Sequence, residues 1–139
     1  MFKPFHQHLL VKGTIRKATN STDAINQWFR DLVAKVGMVV VAGPTSIYIN
    51  ELGNEGLTGT VTLATSHASI HVWDALNPKY FQFDIYSCKC YDIQKVIDHL
   101  NDEFDMIDFE YMEIDRNDNM KVTKSGTGKG NAIENEVIF

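Results

Sequence analysis

The sequence predicts an α+β protein, a two-layer sandwich in which an antiparallel β-sheet carries two helices on one face. Three observations predict it. Two segments place apolar residues at helical spacing, most others alternate at the two-residue strand period, and short connections join successive strands. At 139 residues the chain can bury one core but not two ordinary ones. The expected unit is a single domain over residues 1–115, followed by a polar tail over 116–139.

The elements follow in order. "HLLVKGTI" (8–15) is a short apolar run ended by turn chemistry and reads as a strand. In "STDAINQWFRDLVAKVG" the residues Ile25, Trp28, Phe29, Leu32, Val33 and Val36 recur at three- and four-residue steps and form one buried stripe. Ser21 or Thr22 can cap this helix, and Gly37 suits the left-handed residue that ends it. "MVVVAG" and "SIYIN" read as extended chain, and "ELGNEG" (51–56) as a loop punctuated by glycine. "TGTVTLA" alternates, with Val61 and Leu63 on one face and Thr58, Thr60 and Thr62 on the other. "ASIHVW" and "YFQFDIYSC" repeat that alternation.

A second helix, "DIQKVIDHLNDEF", has its stripe at Ile93, Val96, Ile97 and Leu100 and a cap at Asp92. "MIDFEYMEID" supplies a last strand. The order β α β β β β α β leaves one sheet face without helical cover, and a homodimer is the expected means of burying it. From Arg116 onward the chain is polar and rich in glycine, so a flexible tail is expected. Its "GTGKG" lacks the full spacing and the strand-to-helix context of a phosphate loop.

Composition excludes several classes. Hydrophobic residues at 44% and charged residues at 22% are those of a folding chain rather than a disordered one. A net charge of -5, with Lys and Arg scattered, argues against nucleic acid as a partner. No run of about 18 apolar residues offers a membrane span, and "MFKPFHQHLLV" lacks the apolar core of a signal peptide. The cytoplasm is the expected compartment. The two cysteines, Cys88 and Cys90, stand too near each other for an unstrained mutual disulfide, which fits a reducing environment. No second Cys pair follows, so no metal is expected.

The stretch "LATSHASIHVWD" (63–74) sets Ser66, His67, Ser69 and His71 within six positions of one apolar strand, more polar chemistry than a core strand needs. Together with "GLTGTV" before it, "FDIYSC" after it and "HLLV" near the start, it resembles the short prokaryotic-type S-adenosylmethionine decarboxylases over most of residues 8–115. The most specific part is Ser-His-x-x-Ile-His-x-Trp, with a cysteine 17 residues after its second histidine.

The resemblance implies a proenzyme that cuts its own backbone between Thr65 and Ser66 and converts Ser66 into a pyruvoyl group. The serine hydroxyl attacks the preceding carbonyl, the amide becomes an ester, and β-elimination followed by hydrolysis leaves the pyruvoyl cap. His71 matches a histidine that moves protons during processing, and Thr58 stands where a serine usually assists. The pyruvoyl ketone takes the place of pyridoxal phosphate by forming a Schiff base with the substrate amine. Cys88 matches the acid that returns a proton afterwards. Tyr48 and Phe5 are the aromatic candidates for the adenine ring, Asp74 for the ribose hydroxyls, and His67 for a supporting role.

Two positions depart from the family's pattern: Thr65 replaces the usual Glu before the cut, and Asp74-Ala75 stands where a Glu is common after the tryptophan. Three functions therefore stand side by side. The first is S-adenosylmethionine decarboxylation for spermidine synthesis; the second is pyruvoyl-dependent decarboxylation of arginine or ornithine; the third is an unprocessed homologue acting as a regulatory partner. Ser66 and His71 fall on opposite faces of a straight strand, so a bend at the cut is a requirement of the first two.

Overall fold

The computed structural model describes residues 6–117 and 119–139, so Phe5 lies outside the described residues. Ten elements follow one another: β1 (Gln7–Ile15), α1 (Thr22–Lys35), β2 (Val40–Ile49), β3 (Gly56–Leu63), β4 (Ser66–Trp73), β5 (Lys79–Ser87), α2 (Ile93–Phe104), β6 (Met106–Asp115), β7 (Lys121–Lys129) and β8 (Ala132–Ile138). The strands form one sheet in the order β2-β3-β4-β5-β1-β6-β7-β8, and every neighbouring pair is antiparallel. An antiparallel sheet with two helices is the α+β architecture read from the sequence.

Period-two alternation assigns each strand a buried side. Leu9, Val11 and Ile15 of β1 join Val61 and Leu63 of β3, Ala68, Ile70 and Val72 of β4, and Phe81, Phe83 and Ile85 of β5 in one core with both helices. Trp28 of α1 meets Phe83 edge-on at 5.7 Å between ring centroids, and Phe104 of α2 stacks on Phe81 at 5.8 Å. Phe29, Phe81 and Phe104 are fully buried, and burying such side chains is worth about 1.5–3 kcal/mol each. The caps contribute less, typically about 1 kcal/mol, yet they set where each helix begins. Ser21 Oγ accepts from Ala24 N at 3.1 Å, and Asp92 Oδ1 accepts from Gln94 N at 2.9 Å. Gly37, at a φ of 75°, follows the end of α1 as expected.

The helices are pinned by a reciprocal polar contact that the apolar stripes did not reveal. Trp28 Nε1 donates to the carbonyl of His99 at 3.2 Å, His99 Nε2 donates to the carbonyl of Trp28 at 2.8 Å, and the Lys35 ammonium donates to His99 Nδ1 at 2.9 Å. Burial holds the His99 imidazole below its ordinary pKa; the Lys35 charge adds to this, while the Trp28 carbonyl opposes it. The unfolded chain, with an ordinary value of about 6.5, therefore binds a proton that the folded chain resists. This part of the stability is complete above about pH 6.5 and is lost as pH falls toward the folded pKa. Urea midpoints at about pH 7.5 and about pH 5.5 are expected to differ more in the wild type than in His99→Gln.

The expected flexible tail is corrected. Residues 121–138 form β7 and β8, a hairpin that continues the sheet from β6. The composition misled because its glycines serve close packing rather than freedom. Gly126 pairs with Tyr111 and Gly128 with Phe109 across β6 and β7. A Cβ on Gly126 would stand 2.6 Å from a carbon of the Tyr111 ring, and one on Gly128 would lie 2.7 Å from Phe109 Cε1. Aromatic rings laid over strand glycines bury area that the tail's own side chains lack. The Tyr111 hydroxyl also donates to Glu136 of β8.

On the other side of the sheet the alternate residues form an open surface. Leu10, Lys12, His71, Gln82, Asp84 and Met112 are among those lining a concavity of about 790 Å³. Leu10, Met112, Ser125 and Val137 lie in one cross-strand row, and its apolar members are 39%, 40% and 55% exposed. Among the described residues no helix is long and apolar enough to cross a membrane.

Candidate active site

The β3–β4 hairpin bends the chain at the expected cut, though not in a way that carries Ser66 to His71. Leu63 pairs with Ser66, leaving Ala64 and Thr65 as a two-residue loop. Thr65 has a φ of 58°, the left-handed region that a β-branched residue enters at a cost of about 1–3 kcal/mol. Ser66 is the first residue of β4 and is 8% exposed. The peptide bond between Thr65 and Ser66 thus joins a strained turn residue to a buried hydroxyl.

Two further residues gather there. Ser66 Oγ donates to Ser87 Oγ at 3.3 Å, and Ser87 Oγ also accepts from Lys89 N at 2.9 Å. Cys88, directly after β5, brings its Sγ to 2.6 Å from Thr65 Oγ1, which also donates to the carbonyl of Ala64 at 2.6 Å. Thr65, Ser66 and Cys88 are therefore together. Ser87 belongs with them and was missed; its place beside the cysteine in "YSCKC" was the available signal.

Thr58 and His71 form a separate pair. They face each other in the β3–β4 register, with Thr58 Oγ1 and His71 Nδ1 3.2 Å apart. Ser66 is buried and His71 exposed on the same strand, and five residues of β4 span about 16 Å. Within one chain the structure does not bring this pair to Ser66.

The substrate-binding candidates cluster beyond His71. The Tyr48 hydroxyl donates to both oxygens of Asp74, each at 3.0 Å. Burial, then Asp74 and Glu55, push its pKa up, so it stays a protonated donor. Trp73 stacks on Tyr80 at 4.4 Å with the rings 4° from parallel. Glu55 accepts Asp74 N through its backbone carbonyl at 3.1 Å, and its side-chain Oε1 is buried without a hydrogen-bond partner among the described residues. Sequence reasoning passed over Glu55 as a loop residue. A buried carboxylate oxygen left unpaired beside Asp74 is a place where a ligand donor fits.

On the open face, His67 joins residues that its own strand did not announce. Asp84 accepts from His8 Nε2 at 2.8 Å and from Ser69, and His67 Nε2 lies 3.6 Å from the same carboxylate. Burial alone would raise the Asp84 pKa, but the hydrogen bonds from His8 and Ser69 and the neighbouring imidazoles bring it below its usual value.

An antiparallel α+β sheet with a serine at a strained hairpin, a thiol against it and a second polar pair further along the strand defines a chain organised around one hairpin. The family model described as S-adenosylmethionine decarboxylase matches residues 7–117. A protein of Thermococcus onnurineus named S-adenosylmethionine decarboxylase proenzyme is 31% identical over 100 residues, covering 71% of this chain and 67% of its own. A protein of the same name from Thermococcus kodakarensis is 29% identical over 101 residues, 72% of this chain and 66% of its own. One from Pyrococcus abyssi is 28% identical over 100 residues, 70% of this chain and 68% of its own. The chain spans about two thirds of the length of these relatives. It belongs to the S-adenosylmethionine decarboxylase family, whose members are pyruvoyl-dependent carboxy-lyases.

Proposed function

We propose that this chain is a proenzyme that cuts itself between Thr65 and Ser66 and then decarboxylates S-adenosylmethionine, in the cytoplasm, for spermidine synthesis. The observation that carries this reading is Ser66 at the bend, directly after left-handed Thr65, whose hydroxyl meets the Cys88 thiol. Strain at Thr65 is relieved when its carbonyl rehybridises under attack by Ser66 Oγ, and the nitrogen leaves as the ester forms. Elimination from the ester and hydrolysis, with release of ammonia, complete the pyruvoyl end. When formed, that group supplies the carbonyl for the substrate amine and the sink for the electrons freed as carbon dioxide leaves. The chemistry asks for neither pyridoxal phosphate nor a metal. Cys88 lies within one hydrogen-bond length of the residue before the cut, in reach to return a proton to the product carbon.

The active unit in this reading is a homodimer with composite sites. Ser66 and Cys88 stand at one end of β4, while Thr58, His71, Asp74 and Tyr48 stand toward the other. A two-fold axis on the open face, with both helices outside on the side of Phe81 and Phe83, sets one protomer's hairpin against its partner's His71. It also covers Leu10, Met112 and Val137. His71 then serves as the proton carrier for processing, with Thr58 holding its ring. Asp74 and Glu55 offer two carboxylates to a ribose diol, and His67 flanks the site from the sheet. With Phe5 outside the described residues, Tyr48 carries the adenine-stacking assignment.

The names of the relatives favour S-adenosylmethionine over arginine or ornithine, and the retained Ser66 and Cys88 speak against a non-catalytic partner. Carbon dioxide release from the three substrates tests this directly. Release from arginine or ornithine alone would exclude the main reading. Cys88→Ala is expected to cut normally but to turn over about 10²- to 10⁴-fold more slowly, measured by intact mass and by the same assay. Full turnover in that variant would remove Cys88 from the mechanism.

A further inference from the structure

Three neighbouring strands of the open face converge on one point away from the Ser66 hydroxyl. His8 of β1 and His67 of β4 both pair with Tyr86 of β5, so their imidazoles flank it, and Asp84 lies two residues earlier on the same face of β5. One ligand atom from each of His8, His67 and Asp84 lies within 4.8 Å of the others. His8 Nε2 is 2.8 Å and His67 Nε2 3.6 Å from the same Asp84 oxygen. Ser69 holds the other oxygen and so fixes the carboxylate plane.

We infer that His8, His67 and Asp84 form a binding site for a divalent transition-metal ion. Ligand atoms about 2.1 Å from one tetrahedral ion stand about 3.4 Å apart, a value that the two imidazole-to-Asp84 distances bracket and that falls inside the 4.8 Å within which all three atoms lie. Two imidazoles with one carboxylate suit zinc, iron(II) or cobalt rather than magnesium or calcium, which prefer oxygen throughout. The set comes from a rigid sheet and leaves coordination positions facing the open side for water or a ligand.

One neighbour opposes the ion. The Arg116 guanidinium sits 4.1 Å over the Tyr86 ring, with Nη1 3.5 Å from His8 Nδ1. In that arrangement Nδ1 accepts, and Nε2 carries the proton that it donates to Asp84. Metal binding at Nε2 moves this proton to Nδ1, which then no longer accepts from Arg116, and requires Arg116 to swing away. Arg116 therefore weakens the site, which gives the inference a signature that simple histidine binding lacks. Under the proposed processing, His8 belongs to one product chain and His67 and Asp84 to the other, so an ion would link them. That consequence rests on the processing reading; the metal site does not.

The test uses the full chain kept uncut by Ser66→Ala, stripped with chelator and titrated with Zn²⁺ by calorimetry and with Co²⁺ by visible absorption. One Zn²⁺ per chain with a dissociation constant on the order of micromolar or tighter is expected, with cobalt bands of a four- or five-coordinate site. Asp84→Asn and His67→Gln should each weaken binding at least about tenfold with the far-ultraviolet dichroism unchanged, and Arg116→Ala should tighten it. No uptake at about 100 µM Zn²⁺, or uptake that survives Asp84→Asn combined with His67→Gln, would overturn the inference.

Discussion

Ser66→Ala is expected to leave the protein as one 15.8 kDa chain that releases no carbon dioxide from S-adenosylmethionine. The wild type should separate under denaturing conditions into residues 1–65 and 66–139, the second beginning with a pyruvoyl group. The substitution removes the attacking oxygen, and no other hydroxyl stands directly after the Thr65 carbonyl, so the loss is complete rather than graded. The fold should survive it. Among the described residues Ser66 Oγ makes one hydrogen bond, to Ser87, whose own oxygen keeps the bond from Lys89 N. Thr65→Gly offers the complementary measurement: glycine adopts the positive φ without strain, so the same cut should proceed more slowly, followed by intact mass over time. A full-length wild-type chain after prolonged incubation would end the processing proposal.

The fold was legible where each element's own period determined it. The stripe from Ile25 to Val33 and the alternation of Thr58 to Leu63 are local patterns, and local patterns can be read from a chain without knowing what it packs against. The hairpin after Lys121 was not, because its stability lies in Phe109 and Tyr111 on another strand, which turn Gly128 and Gly126 from breakers into packing sites. The site divided in the same way. Ser66, Cys88 and the bend between β3 and β4 come from adjacent segments and a short loop. Asp84, Ser87 and Glu55 matter through partners on other strands, and no spacing rule joins His8 to Asp84 across 76 residues. The separation of Ser66 from His71 was visible in the alternation from the start; what the structure adds is that the bend leaves them apart.

That separation has a quantitative consequence for mixed protein. Ser66→Ala and His71→Ala chains, each expected to be inactive alone, should recover about a quarter of wild-type activity when co-expressed in equal amounts. Random pairing makes half of the dimers mixed. Each mixed dimer holds one dead site, in which both altered residues meet, and one intact site, in which Ser66 of one chain faces His71 of the other. If Ser66 and His71 of the same chain worked together, every site would contain one defect and mixing would restore nothing. The mass spectrum gives a second, independent readout. The only chain cut in the mixture should be the one carrying His71→Ala, because its serine is intact and its partner supplies the histidine. No cut in either chain of the mixture, with both single variants folded and dimeric, would mean that Ser66 needs the His71 of its own chain and would overturn the composite site, and normal cutting of His71→Ala alone would remove the histidine from processing. Recovery near a quarter would establish that two protomers complete each other's chemistry.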